Sequence, residues 1–347
     1  MSPPPVKRIA AIVGVCLVAA FAVACGSSSD PASTQPVPAE DAQAGVQNAW
    51  QNMPVVPAFE PADARRLKRE VARADRAGMR PEVFAKVGDS NTEWEQNLYG
   101  LGCRPVDFGA RPGLRKTQRR YTRVGLAGLK TFPGCNPSNS FSRMSAATVS
   151  GVWAEWLLTP AGELTGSGSI PPSAECLPAQ SPLRCELSLL DPRYALIMIG
   201  TNDALIGLQL GDVFKGHIED LVRATRQTGS VPVLSTLPPM PIPTAGGQFG
   251  TERIDEANSI IWQVADQMGV PLINLWRAMT GPEMENEGLA SDDLHLGIFG
   301  GEDSPEMLAN SAVLTPEALR YGANRRQLVW LQTLARLDSI VARNPAG

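Results

Sequence analysis

The chain has 347 residues, 43% of them hydrophobic and 19% charged, which is the composition of a folded chain with ample length for a buried core. Its formal net charge of -4 excludes a bulk attraction to nucleic acid or to an anionic surface. Only two histidines are present, His217 and His295, which excludes a multi-histidine metal site; neither a metal nor an organic cofactor is expected.

Lys7 and Arg8 precede a sixteen-residue apolar run, Ile9 to Ala24, that stops at Cys25. This is the pattern of a charged n-region, an h-region and a small-residue cleavage site, and it is shorter than the ~20 residues a membrane-spanning helix needs. Ala22-Val23-Ala24-Cys25 resembles the bacterial lipobox, with Ala22 where Leu is usual. The resemblance implies cleavage before Cys25 and lipidation of that residue. An ordinary secretory signal cut nearby is the alternative to which the lipobox reading is preferred. Either way the chain is expected outside the cytoplasm, and by the lipobox reading it is anchored to a membrane of the cell envelope. Residues 26–61, rich in Ser, Pro, Ala, Gln and Asp, read as a flexible tether, and 62–347 as the folded domain.

With Cys16 and Cys25 in the leader, four cysteines remain: Cys103, Cys135, Cys176 and Cys185. An even number in an oxidising compartment favours two disulfides with three possible connectivities. Short loops close most readily, which favours Cys103–Cys135 and Cys176–Cys185.

Pro61-Ala62-Asp63 opens a charged surface helix that ends near Gly78. A short strand follows at Val83–Val87. Tyr194–Ile199, Val231–Ser235 and Pro271–Leu275 are apolar runs without polar alternation, as parallel strands covered on both faces should be. Between them the spacing predicts amphipathic helices. One begins at Asp212 and stops at Gly229, and one carries Ile254, Ile261 and Val264 and stops at Gly269. A last helix carries Leu328, Leu331, Leu334, Leu337 and Val341. This alternation predicts βαβ units and a parallel sheet, with ligands at the carboxyl ends of its strands. Arg104–Ser140 and Thr159–Ser188 break the rhythm and are expected as surface loops. Trp153, Trp156, Trp262 and Trp276 could stack sugars but more often serve as core or rim residues, and the proline-rich Leu237–Phe249 could wall the cleft or be simply a rigid connection.

Three blocks carry chemistry. Gly88-Asp89-Ser90-Asn91-Thr92 puts a serine at a strand-to-helix turn, where exposed N–H groups can stabilise an oxyanion. Gly200-Thr201-Asn202-Asp203 ends a later strand with an amide that can serve the same oxyanion. Ser291-Asp292-Asp293-Leu294-His295 supplies a base for the serine and an aspartate three residues earlier to fix its tautomer.

In this order the blocks resemble the SGNH (GDSL-like) hydrolase family, over roughly Phe84 to Leu296. The resemblance implies a three-layer α/β/α sandwich with a flavodoxin-like parallel sheet, and transfer of an acyl group to water. It implies Ser90 as nucleophile, His295 as base, Asp292 as its orienter, and Asn202 with the Ser90 N–H as oxyanion donors. The family also places a glycine between Ser90 and Asn202 whose N–H is a third donor; Ser145-Ala146-Ala147-Thr148 leaves Ala146 at that place. The expected partners are an ester of a carbohydrate, a lipid or a small molecule, and a membrane through the lipid anchor, with no nucleic acid. An O-acyltransferase acting on an envelope glycan and a non-catalytic binding lipoprotein are the alternatives.

Overall fold

The computed structural model describes residues 49–342 apart from 137, 166–168, 206–209 and 242–249, all within the unit spanning 43–347. The expected signal segment with Cys25, the tether as far as residue 48, and the far part of the proline-rich segment lie outside the described residues. In chain order the main elements are α1 (Pro61–Arg76), β1 (Arg80–Gly88), α2 (Arg115–Thr122), α3 (Pro182–Leu190) and β2 (Pro192–Met198). They are followed by α4 (Gly211–Gln227), β3 (Val231–Ser235), α5 (Gly250–Met268), β4 (Leu272–Ile273) and α6 (Gly322–Ala342). Single turns of helix also occur at Ser90–Glu93 and Thr201–Leu205.

The four strands are parallel and lie in the order β1-β2-β3-β4. Every residue of β2 and β3 is buried, which is why their sequences are apolar without alternation. α1, α2 and α6 pack on one another and on one face of the sheet; α3, α4 and α5 do so on the other. The result is an α/β/α arrangement of three layers. Outside β1 the chain adds one more parallel bridge, Gly88 with Thr148, and the Gly88 N–H donates to the Ala147 carbonyl at 2.9 Å. That bridge is a strand reduced to a single rung, and with it the spatial order becomes flavodoxin-like.

Hydroxyl groups complete the outer edge of β1. The Phe84 N–H donates to Ser140 Oγ at 3.1 Å, and Ser145 Oγ donates to the Lys86 carbonyl at 2.7 Å. The chain thus crosses from the β1 edge to β2, leaving a crevice at the carboxyl ends of these two strands. Gly88 at the end of β1 tolerates no side chain: a Cβ there would lie 2.3 Å from the Met198 carbonyl oxygen and 2.4 Å from Thr92 Oγ1.

Both disulfides pair as loop length predicts, Cys103 with Cys135 and Cys176 with Cys185. Three expectations need correction. The stretch Arg104–Ser140 contains α2, and Thr159–Ser188 runs into α3, whose Leu183, Cys185, Glu186 and Leu187 are buried rather than at the surface.

The tether also ends earlier than Pro61. Trp50 is 1% exposed, its ring meets Trp276 edge-on at 4.9 Å, and Asn274 Nδ2 donates to the carbonyls of Trp50 and Met53 at 2.7 and 3.1 Å. One buried indole outweighs the polar composition around it. Trp50→Ala should therefore lower the unfolding free energy in urea by about 3–5 kcal/mol. Removal of residues 26–48 should change it by less than about 0.5 kcal/mol. Equal effects would mean that residues 49–60 contribute nothing to the fold.

Candidate active site

Asp89 caps the turn Ser90–Glu93, its side chain accepting the Asn91 N–H at 3.0 Å. The cap fixes Ser90 at the carboxyl end of β1, buried but for 7% of its surface. Ser90 Oγ lies 3.0 Å from His295 Nε2, and His295 Nδ1 lies 2.5 Å from Asp292 Oδ2. An Nδ1–H donated to Asp292 leaves Nε2 free to accept from the serine hydroxyl, which is the tautomer that proton abstraction requires.

Asp292 holds its loop as well as the ring. Its Oδ1 accepts the N–H groups of Leu294 at 3.0 Å and His295 at 2.9 Å. Burial raises the Asp292 pKa, but the hydrogen bonds from the His295 ring and from these two N–H groups outweigh it. They keep the carboxyl below its ordinary value and therefore ionised. Asp293 turns away: its backbone sits at φ 56° and its carboxylate accepts from Asn286 at 3.1 Å.

Asn91 joins the two halves of the site. Its Nδ2 donates to the Leu294 carbonyl and its Oδ1 accepts the Leu296 N–H, both at 3.2 Å, so one amide grips the chain on either side of His295. Trp94 stacks on the imidazole with ring centroids 3.5 Å apart and planes 16° from parallel. Beneath the turn, fully buried Arg326 of α6 donates to the Asn91 carbonyl, and to Thr92 Oγ1 at 3.0 Å. Burial lowers the Arg326 pKa to about 9, against the attraction of Asp89.

The turn after β2 grips a separate segment. Asn202 Nδ2 donates to the Val152 carbonyl at 2.7 Å, and Asp203 accepts the Ala154 N–H at 3.1 Å. One N–H of the Asn202 amide is thus occupied, and the other makes no hydrogen bond among the described residues. On the near side of the same segment, the Ser150 N–H and hydroxyl both donate to the Glu93 carboxylate, and the Trp94 indole donates to Ser150 Oγ at 3.1 Å. Between these grips lies Gly151, with φ 81°, whose own N–H has no partner among the described residues.

Ala146 does not belong to this cluster. Its N–H donates to the buried Glu186 carboxylate at 2.8 Å, which leaves it nothing to offer a substrate. The glycine between Ser90 and Asn202 that the structure brings to the crevice is Gly151, five positions further on. The four tryptophans take the core or rim places rather than a sugar platform. Trp156 is buried with its indole bound to the Ile170 carbonyl, Trp276 packs on Trp50, and Trp153 and Trp262 lie against the core. The aromatic at the site is Trp94.

A parallel α/β sheet with a serine, a histidine and an aspartate in hydrogen-bonded series at its carboxyl edge is the framework of a serine hydrolase. A family model described as the GDSL-like Lipase/Acylhydrolase family matches residues 162–300, the stretch that contains Asn202, Asp292 and His295 but not Ser90. Over those residues the chain is similar to this family of ester hydrolases.

No curated protein matches it. Solved structures similar to it include a GDSL-like lipase from Bacteroides thetaiotaomicron. That likeness is 14% identical, covers 78% of this chain and 98% of that one, and has a TM-score of 0.43. A lipase/acylhydrolase from Enterococcus faecalis is 17% identical, with 74% and 95% covered and a TM-score of 0.39. A carbohydrate esterase family 3 protein from Talaromyces cellulolyticus is 16% identical, with 73% and 98% covered and a TM-score of 0.41.

Burial raises the Asp203 pKa to about 7, against the hydrogen bond from Ala154. A carboxyl whose folded-state pKa is raised costs stability as pH climbs from its unfolded value of about 3.9, and the loss is complete only above the folded value. Asp203→Asn should therefore gain stability relative to the parent protein as pH rises from 4 to 7, then hold that gain at higher pH. Urea titrations of both proteins across this range check it. A constant difference at all pH values would show that Asp203 ionises freely in the folded protein.

Proposed function

We propose that Ser90, His295 and Asp292 form the catalytic triad of an extracytoplasmic ester hydrolase. The reading rests above all on the continuous series Ser90 Oγ–His295 Nε2, 3.0 Å, and His295 Nδ1–Asp292 Oδ2, 2.5 Å. Ser90 Oγ attacks the ester carbonyl as its proton passes to His295 Nε2. The resulting imidazolium is stabilised by ionised Asp292 and returns the proton to the departing alkoxide, which leaves as the alcohol. Water then repeats the sequence on the acyl-serine, giving its proton to His295 and releasing the carboxylic acid and free Ser90.

The oxyanion formed in each half is assigned to the N–H groups of Ser90 and Gly151 and the free N–H of the Asn202 amide. Such donors act where charge develops in the transition state and are worth about 10²–10³ in turnover each. The two disulfides and the charged, then apolar N-terminal run support a place outside the cytoplasm, with Cys25 as the lipid anchor.

Ser90→Ala should abolish labelling by a fluorophosphonate while the circular dichroism spectrum stays unchanged; labelling at the parent level would remove Ser90 from the mechanism. The two adjacent aspartates give a sharper test. Asp292→Asn should lower kcat on p-nitrophenyl acetate by about 10³–10⁴ with little change in KM. Asp293→Asn, whose carboxylate faces Asn286, should stay within about threefold. Equal losses would reduce Asp292 to one charge among several.

A further inference from the structure

The modest net charge conceals a strong polarity. Residues 281–310, which carry His295 and its loop, contain eight acidic residues and no lysine or arginine; Glu283 and Glu285 pair with Arg325 and Arg320. Residues 104–130 contain eight basic residues and one acid, Asp107.

Two rulers place these stretches at opposite ends of the domain. The first is β1. Arg120 donates to the Pro81 carbonyl at 3.0 Å and Arg123 pairs with Glu82 at 2.7 Å, so α2 is fastened to the amino end of the strand whose carboxyl end delivers Ser90. Seven residues of strand separate Pro81 from Gly88, about 23 Å. The second is α6. Arg326, near its start, touches the Ser90 turn, whereas its far end, Ala335 to Ala342, forms a groove with α2. From Arg326 to Asp338 the helix rises about 18 Å. The basic end and the catalytic end are therefore opposite poles.

The groove at the basic pole is a built cationic surface. Arg115, Lys116, Arg119, Arg120, Arg123 and Arg193 line it, and Asp338 is its one acid. Asp338, Glu82 and Asp75 take up Arg120, Arg123 and Arg193. Arg115, Lys116 and Arg119 are exposed and make no ion pair among the described residues. Arg115, Arg119 and the C-cap Arg123 recur every four residues, so they follow one side of α2, and Arg111 lies just ahead of it.

We propose that this pole docks on an anionic lipid surface, with the catalytic crevice turned away from the bilayer. A cluster of four or more Lys and Arg on a helix recognises phospholipid headgroup phosphates through point charges. Bare nucleic acid or a sugar polymer is the poorer fit, since no aromatic side chain lines the groove to stack a base or a ring. The floor, Ala335, Ser339 and Ala342, is small and offers nothing to insert, so the contact is electrostatic and sensitive to salt. The acidic pole is repelled by the same surface and fixes the orientation. The lipid anchor proposed at Cys25 would put such a surface within reach.

The test uses the full chain and its Arg115→Glu/Lys116→Glu/Arg119→Glu variant. Vesicles of pure phosphatidylcholine are compared with vesicles containing about 30% phosphatidylglycerol. An N-terminal anchor binds both vesicles in both proteins, so it cancels in the comparison. For the parent protein, phosphatidylglycerol should raise the bound fraction at low salt by about tenfold, and high salt should erase the gain. Hydrogen exchange should show new protection confined to residues 111–123.

The variant should lose both effects while hydrolysing p-nitrophenyl acetate at the parent rate, because the altered residues lie at the far pole. Three results would overturn the proposal: no gain from phosphatidylglycerol in the parent; an equal gain in the variant; or protection at the acidic loop instead. Each is independent of whether Ser90 is the nucleophile.

Discussion

The Asn91 amide carries the constraint on which the rest of the site depends. Ser90 and His295 are far apart in sequence, and their hydrogen bond alone could not hold two loops in register. Asn91 is adjacent to the serine and bonds the backbone on both sides of the histidine, so placing one residue places the other. The amide cannot drift because its own backbone N–H is held by Asp89 and its carbonyl by Arg326. Gln96 adds a second clasp, donating to the Leu296 carbonyl while Gln327 donates to its own. The Ser90–His295–Asp292 series is thus the visible end of a buried polar network that ties β1, the His295 loop and α6 together. In such a network each member is costly to remove because its partners are left unsatisfied out of reach of water.

The same network explains a charge where a core would be apolar. Arg326 is fully buried, lies 4.2 Å over the Trp330 ring, and neutralises carbonyl oxygen that the Ser90 turn leaves without helical partners. Lys86, on β1 itself, is equally buried: its ammonium donates to the Phe141 carbonyl at 2.8 Å and sits over the Tyr99 ring. Burial draws its pKa well below the ordinary value, while Glu186 pulls the other way. The edge of the sheet that carries Ser90 is therefore also one with a buried charge.

Much of this fold was legible in the sequence, because β2 and β3 have no solvent face and their residues say so. The ordered blocks around Ser90, Asn202 and His295 were legible too, since the first two sit where a strand ends and the third sets an aspartate three residues before a histidine. Ala146 misled because a short alanine-rich segment after a serine looks like a strand end. The real rung is Ala147–Thr148, which moves the following turn to Gly151. Trp94 and Asn91 escaped because their roles are made by contact with residues some 200 positions away, and no local pattern marks them. Residues 49–60 escaped for the opposite reason: the composition is that of a tether, and a single indole with one receptive cleft overrides it. α2 was hidden by its polarity, having only Thr117 and Tyr121 to bury.

The way β1 finishes its outer side bears on how the protein behaves in company. A parallel sheet that stops at a bare strand offers unpaired N–H and C=O groups to any neighbouring chain, and such edges seed aggregation. Here the Phe84 N–H, the Lys86 carbonyl and the Gly88 N–H are taken by Ser140, Ser145 and Ala147. Two serine hydroxyls and one peptide group thus interrupt the ladder that a second molecule would extend. A chain that folds among copies of itself has to pair that edge before its neighbours do. Cys103–Cys135 closes a loop that ends just ahead of the two serines, so oxidation brings the segment close to the edge it protects.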